Sequence, residues 1–232
     1  MIPLQSCKVL PPPSTIVGTI HTLRGLHQAL RLKPGEVDLL EIRVDAFADA
    51  PAPILTSLSK LKSPLLITVR HPLEGAIQPL SPARRRELFY RFLPYATLID
   101  LELRSAKQFF PLIEEAHTNG IGVILSHHDF TRTPSRKRLQ DLAGSVRQLG
   151  GDIFKVAATT HDPGDLVTLL GFLSEEKSIP LSIMGMGRLG KVSRLLFAQA
   201  GSLLNYGFLD KAQVNGQWSA PLLKTRLSEL QG

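Results

Sequence analysis

The chain contains a single cysteine, Cys7. No internal disulfide can form, and a reducing, cytoplasmic setting is the simple reading. Cys7 sits in a proline-flanked tail and is not taken as a nucleophile. No apolar run approaches the roughly 20 residues that a membrane span requires. The segment Met1 to Pro13 lacks the basic-then-apolar layout of a secretory signal. Metal-ligand spacing is also missing: His21, His27, His71, His117 and His161 form no set, there is no His-Glu-x-x-His, and no Cys/His cluster exists, so no metal site is expected. Thr19–Gly25 offers no glycine-rich phosphate turn, which argues against an open dinucleotide-binding sheet. No zinc-finger or RNA-recognition signature accompanies the basic residues, so nucleic acid is not an expected partner.

What the chain does have is length, net positive charge and a regular alternation. Its 232 residues carry a formal charge of +7, and such a surplus can draw in small anions. The densest basic runs, Arg84-Arg85-Arg86 and Arg136-Lys137-Arg138, lie in helix-like segments and read as solvated helix faces. Short, near-continuously apolar runs lie at Thr15–Ile20, Val37–Val44, Leu65–Val69, Thr97–Leu103, Gly122–Ser126, Asp152–Ala157, Pro180–Met184 and, more weakly, Ser202–Tyr206. Such runs suit strands buried on both faces. Helix-like patterns sit between them at Leu23–Leu32, Pro82–Leu93, Ser105–Thr118, Ser135–Leu149, Pro163–Glu176 and Leu189–Ala200, with Ala220–Leu230 closing the chain. Regular strand-then-helix alternation predicts a parallel sheet. Eight units of about 25–30 residues favour closure into a (β/α)8 TIM barrel, an α/β fold in which one domain covers 1–232.

In such a barrel the functional groups project from the C-terminal ends of the strands. Polar residues at those ends are therefore the candidates. Glu41, Arg43 and Asp45 alternate, so all three face one side, where they form either a site or an interior salt-bridge cluster. Strand three ends Thr68-Val69-Arg70 with Glu74 after it, strand four carries Asp100-Leu101-Glu102, and strand five ends Ser126-His127-His128-Asp129. Lys155 interrupts the apolar run Asp152–Ala157. Lysines are almost never buried without a task or a partner. Burial and nearby cations would free its amine as a nucleophile; the plain alternative is a structural pair with Asp100 or Glu102. His128 is the natural proton carrier on the neighbouring strand end. His127 points the other way and is assigned to packing or the surface.

These residues resemble the type I 3-dehydroquinate dehydratase family. The resemblance rests on Glu41-x-Arg43-x-Asp45, Thr68-x-Arg70 with Glu74, Asp100-x-Glu102, Ser126-x-His128-Asp129-Phe130, Lys155-Val156-Ala157, Met184-Gly185-x-Gly187 with Ser193-Arg194, and Gly216-Gln217, in the family's order. It implies a lyase that dehydrates 3-dehydroquinate through a Schiff base on Lys155. His128 would serve as general base and acid, and Glu74 would orient it. Glu41, Arg43 and Arg70 would hold the ring hydroxyls, Arg194 the carboxylate, and Gln217 would close over the substrate from a loop. It also implies a homodimer that works without metal or organic cofactor. Two departures stand out. Gln213-Val214-Asn215 replaces the family's Ser-Ala-Pro before Gly-Gln, and Glu74-Gly75-Ala76 replaces Glu-Gly-Gly. The enzyme rival is another imine-forming barrel of the class I aldolase kind, which gives no reason for the Glu41/Arg43 and Arg70/Glu74 set.

Overall fold

The structure is a computed structural model that describes residues 10–231. Cys7 and the start of the Met1–Pro13 segment lie outside the described residues. Eight parallel strands run in the order β7-β6-β5-β4-β3-β2-β1-β8. They are β1 Thr15–Ile20, β2 Leu39–Arg43, β3 Leu65–Thr68, β4 Leu98–Glu102, β5 Gly122–Asp129, β6 Ile153–Thr159, β7 Leu181–Met186 and β8 Leu204–Phe208. Helices α1 Leu23–Ala29, α2 Ala52–Leu55, α3 Pro82–Phe92, α4 Phe110–Thr118, α5 Arg136–Gln148, α6 Pro163–Glu175, α7 Gly190–Gln199 and α8 Ala220–Gln231 follow the strands in turn. This is the (β/α)8 TIM barrel that the alternation predicts.

The ring closes at β7 and β8 by a mixed seam. Leu203 N–H donates to the Leu181 carbonyl at 2.8 Å. Two buried serines complete it: Ser182 Oγ donates to Leu204 O at 2.7 Å, and Ser202 Oγ accepts from Ile183 N at 3.0 Å. Hydroxyls here take the place of the missing ladder bonds, which a buried strand edge would otherwise leave unsatisfied.

Alternation along each strand sorts side chains to two sides. Outward-facing Ile42, Ile67, Ile99, Leu101, Val123, Leu125, Phe154, Val156 and Ile183 pack against Phe89, Phe92, Phe109, Phe172 and Phe197 of the helical layer. Phe89 meets Phe109, and Phe154 meets Phe172, edge to face. Inward-facing Val17, Leu39, Leu66, Leu98, Ile124, Ile153 and Leu204 fill the barrel. Side-chain caps fix where helices start: Thr22 Oγ1 accepts from Gly25 N, Ser81 Oγ from Arg84 N, and Ser135 Oγ from Arg138 N. Asp162 and Asp165 form a reciprocal capping box on α6.

Three expectations need correction. The helix expected over Ser105–Thr118 starts only at Phe110, because Pro111 lacks an N–H and fits only a first turn. The unit after β2, where the sequence shows no helical pattern, holds the four-residue α2, with Pro51 at its N-cap and Pro53 in its first turn. The run Arg84–Arg86 is not all solvated. Arg85 is 1 % exposed, because it shares the inward face of α3 with Leu88, Phe89 and Phe92 at helical spacing. Its guanidinium donates to Val69 O at 2.9 Å and Ser105 Oγ at 3.1 Å, and pairs with Glu102.

Candidate active site

The C-terminal ends of the strands open onto a cavity of about 140 Å³. Lys155, His128, Glu74, Glu41, Arg43, Arg70, Arg194 and Gln217 all line it. The eight residues singled out from the sequence thus come together in space, although more than 170 positions separate the ends of the set (Glu41 to Gln217).

β6 carries Lys155 inward, in register with Ser126 of β5 and Ser182 of β7. Nζ lies 2.7 Å from Asp100 Oδ2. The structural pairing considered above is therefore present, and the same lysine also lines the cavity. Asp100 additionally takes both Nη groups of Arg70 at 2.9 Å. Burial would raise the Asp100 carboxyl, but Arg70 and then Lys155 hold it well below the usual carboxylate range. Asp100 therefore stays an anion between two cations.

β5 runs through Asp129, three residues beyond the predicted end, so alternation holds across both histidines. His128 points inward and His127 outward. His128 Nδ1 and its backbone N both lie 3.0 Å from Glu74 Oε2. Arg104 Nε approaches the other oxygen, Oε1, at 3.2 Å. These donors favour the ionised form of Glu74, and once ionised it holds the proton on Nδ1 and leaves Nε2 as the acceptor. Burial, then the charges of Arg70 and Lys155, keep His128 well below the ordinary imidazole value. Burial, then Glu102, push Glu74 up to about 7. Gly75 follows at φ +85, and a Cβ there would lie 2.7 Å from the Phe130 ring, so the turn that delivers Glu74 requires glycine.

Arg43 binds Asp45 through two parallel bonds of 2.9 and 2.8 Å, and donates to Gly75 O at 2.8 Å. Asp45 also accepts from the backbone N of Ile77 and Arg70. It is the brace that orients Arg43. Glu41 accepts from Thr19 Oγ1 at 2.8 Å and Thr68 Oγ1 at 2.9 Å. Arg70 Nη1 reaches Glu102 Oε1 at 3.1 Å and Ser126 Oγ at 2.8 Å as well as Asp100. Arg194 is tied by Nη1 to the carbonyls of Gly185, Gly190 and Gly216, and by Nε to that of Tyr206. Ser193 Oγ accepts from Gly185 N and donates to Gly190 O, so the pair Ser193-Arg194 ties the end of β7 to α7. Burial brings Arg194 down to about 10, which leaves it a cation at neutral pH.

The loop from Asp210 to Ser219 lies over the cavity. Gln213 Oε1 accepts from Arg43 Nη1 at 3.1 Å, and Gln217 Oε1 accepts from Gln213 N at 2.7 Å. Gly216, at φ +83, passes so close to Gly187 that a Cβ would fall 2.3 Å from its carbonyl oxygen. Gln213 and Val214, noted above only as departures, are thus cavity-lining residues. Met184, quoted above in the family match, lines it too, as do Met186 and Tyr206, and no rule of charge or spacing picks the last two out of apolar strands. Among the described residues no group of three or more His, Cys, Asp or Glu side chains could hold a metal ion, and no helix is long and apolar enough to cross a membrane.

The family model for type I 3-dehydroquinase matches residues 17–232. The chain belongs to the type I 3-dehydroquinase family. Membership carries the enzyme class with it, a dehydratase of 3-dehydroquinate. A 3-dehydroquinate dehydratase of Klebsiella pneumoniae is 34% identical over 196 residues, covering 78% of this chain and 77% of the relative. A catabolic 3-dehydroquinate dehydratase of Acinetobacter baylyi is 30% identical over 209 residues, covering 84% of this chain and 77% of the relative. The crystal structure of a Clostridium difficile type I 3-dehydroquinate dehydratase with covalently modified comenic acid superposes with a TM-score of 0.84 at 27% identity, covering 96% of this chain and 93% of that one.

Proposed function

We propose that the chain converts 3-dehydroquinate to 3-dehydroshikimate by syn elimination of water through an imine on Lys155, with His128 moving the protons. The observation that carries this reading is a lysine amine and a carboxylate-backed imidazole on adjacent strands, β6 and β5, lining one cavity. The covalently modified acid described for the Clostridium difficile relative supports covalent chemistry in the family.

A ketone α-proton is too weakly acidic for imidazole to remove quickly. The Lys155 ammonium first gives up one proton; its nitrogen then attacks the ring ketone to form a C–N bond and a neutral carbinolamine, whose hydroxyl takes that proton back and leaves as water. The protonated imine that results is an electron sink. His128 Nε2 then takes the C2 proton, and the C–H electrons form a neutral enamine. The nitrogen lone pair restores the C=N bond, the enamine electrons become the C1–C2 double bond, and the C1 hydroxyl leaves as water with the proton from His128. Hydrolysis of the conjugated imine frees product and lysine. One imidazole serving both proton transfers places both on the same ring face, hence syn. Such proton transfer contributes typically 10²–10⁴-fold, so imine formation and positioning supply the remainder.

In this reading Glu74 orients His128. Glu41, Arg43 and Arg70 face the ring hydroxyls, Arg194 the carboxylate, and Gln217 closes over the ring from the β8–α8 loop. Arg194 suits the carboxylate because it is a buried guanidinium in a fixed orientation. A homodimer of one-domain (β/α)8 chains, acting in the cytoplasm without metal or cofactor, goes with the reading. The test is incubation with 3-dehydroquinate while following absorbance of the conjugated enone product, then borohydride reduction and peptide mapping. The expected adduct falls on Lys155 and is lost in Lys155→Ala. An active enzyme with no trapped adduct would rule out the imine route.

A further inference from the structure

Tyr206 lies on β8 and takes no part in the scheme above. The residue is 3 % exposed, and Lys155 Nζ sits over the face of its ring, 4.0 Å from the centroid. Its hydroxyl has no hydrogen-bond partner among the described residues. Buried tyrosines ordinarily find one. The hydroxyl therefore does not anchor this side chain, and its ring is what meets the site.

We propose that Tyr206 is a further catalytic residue whose ring face stabilises the positive charge that Lys155 carries as a protonated imine. The inference rests on the imine reading. Lys155 Nζ has the Asp100 carboxylate on one side at 2.7 Å and the Tyr206 ring against it at 4.0 Å. An ammonium offers three N–H donors, whereas a protonated imine offers one. Conversion to the imine thus removes most of the hydrogen bonding that a carboxylate can use, while the charge remains. An aromatic face responds to charge rather than to N–H direction, and in a desolvated setting the attraction corresponds to about a 30-fold preference for the cation. The enamine is neutral, so the ring favours two stages of the cycle. One is loss of water from the neutral carbinolamine to give the protonated imine, and the other is expulsion of the hydroxyl, when charge returns to the nitrogen.

The experiment measures the rate at which borohydride traps the Lys155 adduct at saturating 3-dehydroquinate. Tyr206→Phe keeps the ring and sets the reference. Phenylalanines with one, two and three ring fluorines, introduced at position 206, keep its shape while draining charge from its face. The expected trapping rate falls stepwise along the series, by about 10-fold in all, with melting temperatures unchanged. Tyr206→Leu falls further. A flat rate across the fluorinated series, with wild type still trapping on Lys155, would overturn the role of the ring and leave the imine standing. A wild type that turns over but traps nothing would overturn both.

Discussion

Two layers inside this barrel lie on the same strands and are equally buried, yet differ in chemistry. The lower layer is Val17, Leu39, Leu66, Leu98, Ile124, Ile153 and Leu204. Two residues further along each of those strands stand Thr19, Glu41, Thr68, Asp100, Ser126, Lys155 and Tyr206, none more than 4 % exposed. A step of two residues advances about 6.6 Å along a strand and returns to the same side. Each lower side chain contributes about 1.5–3 kcal/mol by leaving water. Each charge in the upper layer costs several kcal/mol to desolvate and recovers it only through partners, here Asp100 with Arg70 and Lys155, and Glu41 with two threonine hydroxyls. Replacing buried ion pairs by apolar groups is often neutral or stabilising. Stability alone therefore does not explain the upper layer, and four of its members, Thr19, Glu41, Lys155 and Tyr206, line the cavity.

The comparison breaks most sharply at Lys155. Lys155→Met should remove turnover by about 10⁴-fold or more while leaving the melting temperature unchanged or raised, since Asp100 keeps its two bonds to Arg70. Turnover above about 1 % of wild type would mean that the lysine belongs with the structural layer. His128→Ala comes next. Its loss of general acid–base help should lower kcat by about 10²–10⁴-fold while borohydride still captures the imine. His127→Ala on the outward face should change kcat little, and a reversed order would show that the two imidazoles have exchanged roles.

Much of this division can be read in the sequence wherever a charge interrupts an apolar run, as at Glu41, Asp100 and Lys155. Residues whose placement depends on a neighbour far along the chain are harder to read. Tyr206 is an ordinary strand residue until barrel closure lays its ring beneath Lys155. Arg85 hides among three arginines, and only the phase set by Leu88, Phe89 and Phe92 turns it inward. Gln213 meets Arg43 across 170 positions, a contact that no local pattern encodes. The short α2 follows from two prolines in a segment too apolar and too brief to show a period. The roles of Glu74 and Gln217 came from family resemblance. The geometry adds what that resemblance did not supply, namely Arg104 beside Glu74 and the doubly tied Gln213.

The lower layer should fail in the opposite sense. Leu98→Ala deletes a fully enclosed side chain and should cost about 2–4 kcal/mol of unfolding free energy, measured by urea denaturation. Turnover per folded molecule should stay within about twofold of wild type, because Leu98 lies one inward position below Asp100 and does not line the cavity. A large drop in kcat at unchanged stability would erase the distinction between the layers.

The smallest effect, and the most diagnostic, is expected at the rim, where Glu74 is raised from 4.5 to about 7, chiefly by burial and then by Glu102. Between those values the folded chain holds a proton that the unfolded chain has released. The stability that Glu74 contributes is thus fully present below about pH 4.5 and is lost as pH rises through about 7. Glu74→Gln removes that titration. The variant should match wild type near pH 5 and exceed it by about 1–3 kcal/mol at pH 8.5, while turning over more slowly because an amide does not hold the His128 Nδ1 proton as a carboxylate does. In the wild type, turnover should rise with pH through about 7 as Glu74 ionises, and in the variant that limb should disappear. Chemical denaturation across this pH range, set beside the pH profile of kcat, separates the two effects. A stability difference that shrinks with rising pH would mean that Arg104 and His128 more than offset the burial of the carboxylate, so that ionised Glu74 stabilises the fold.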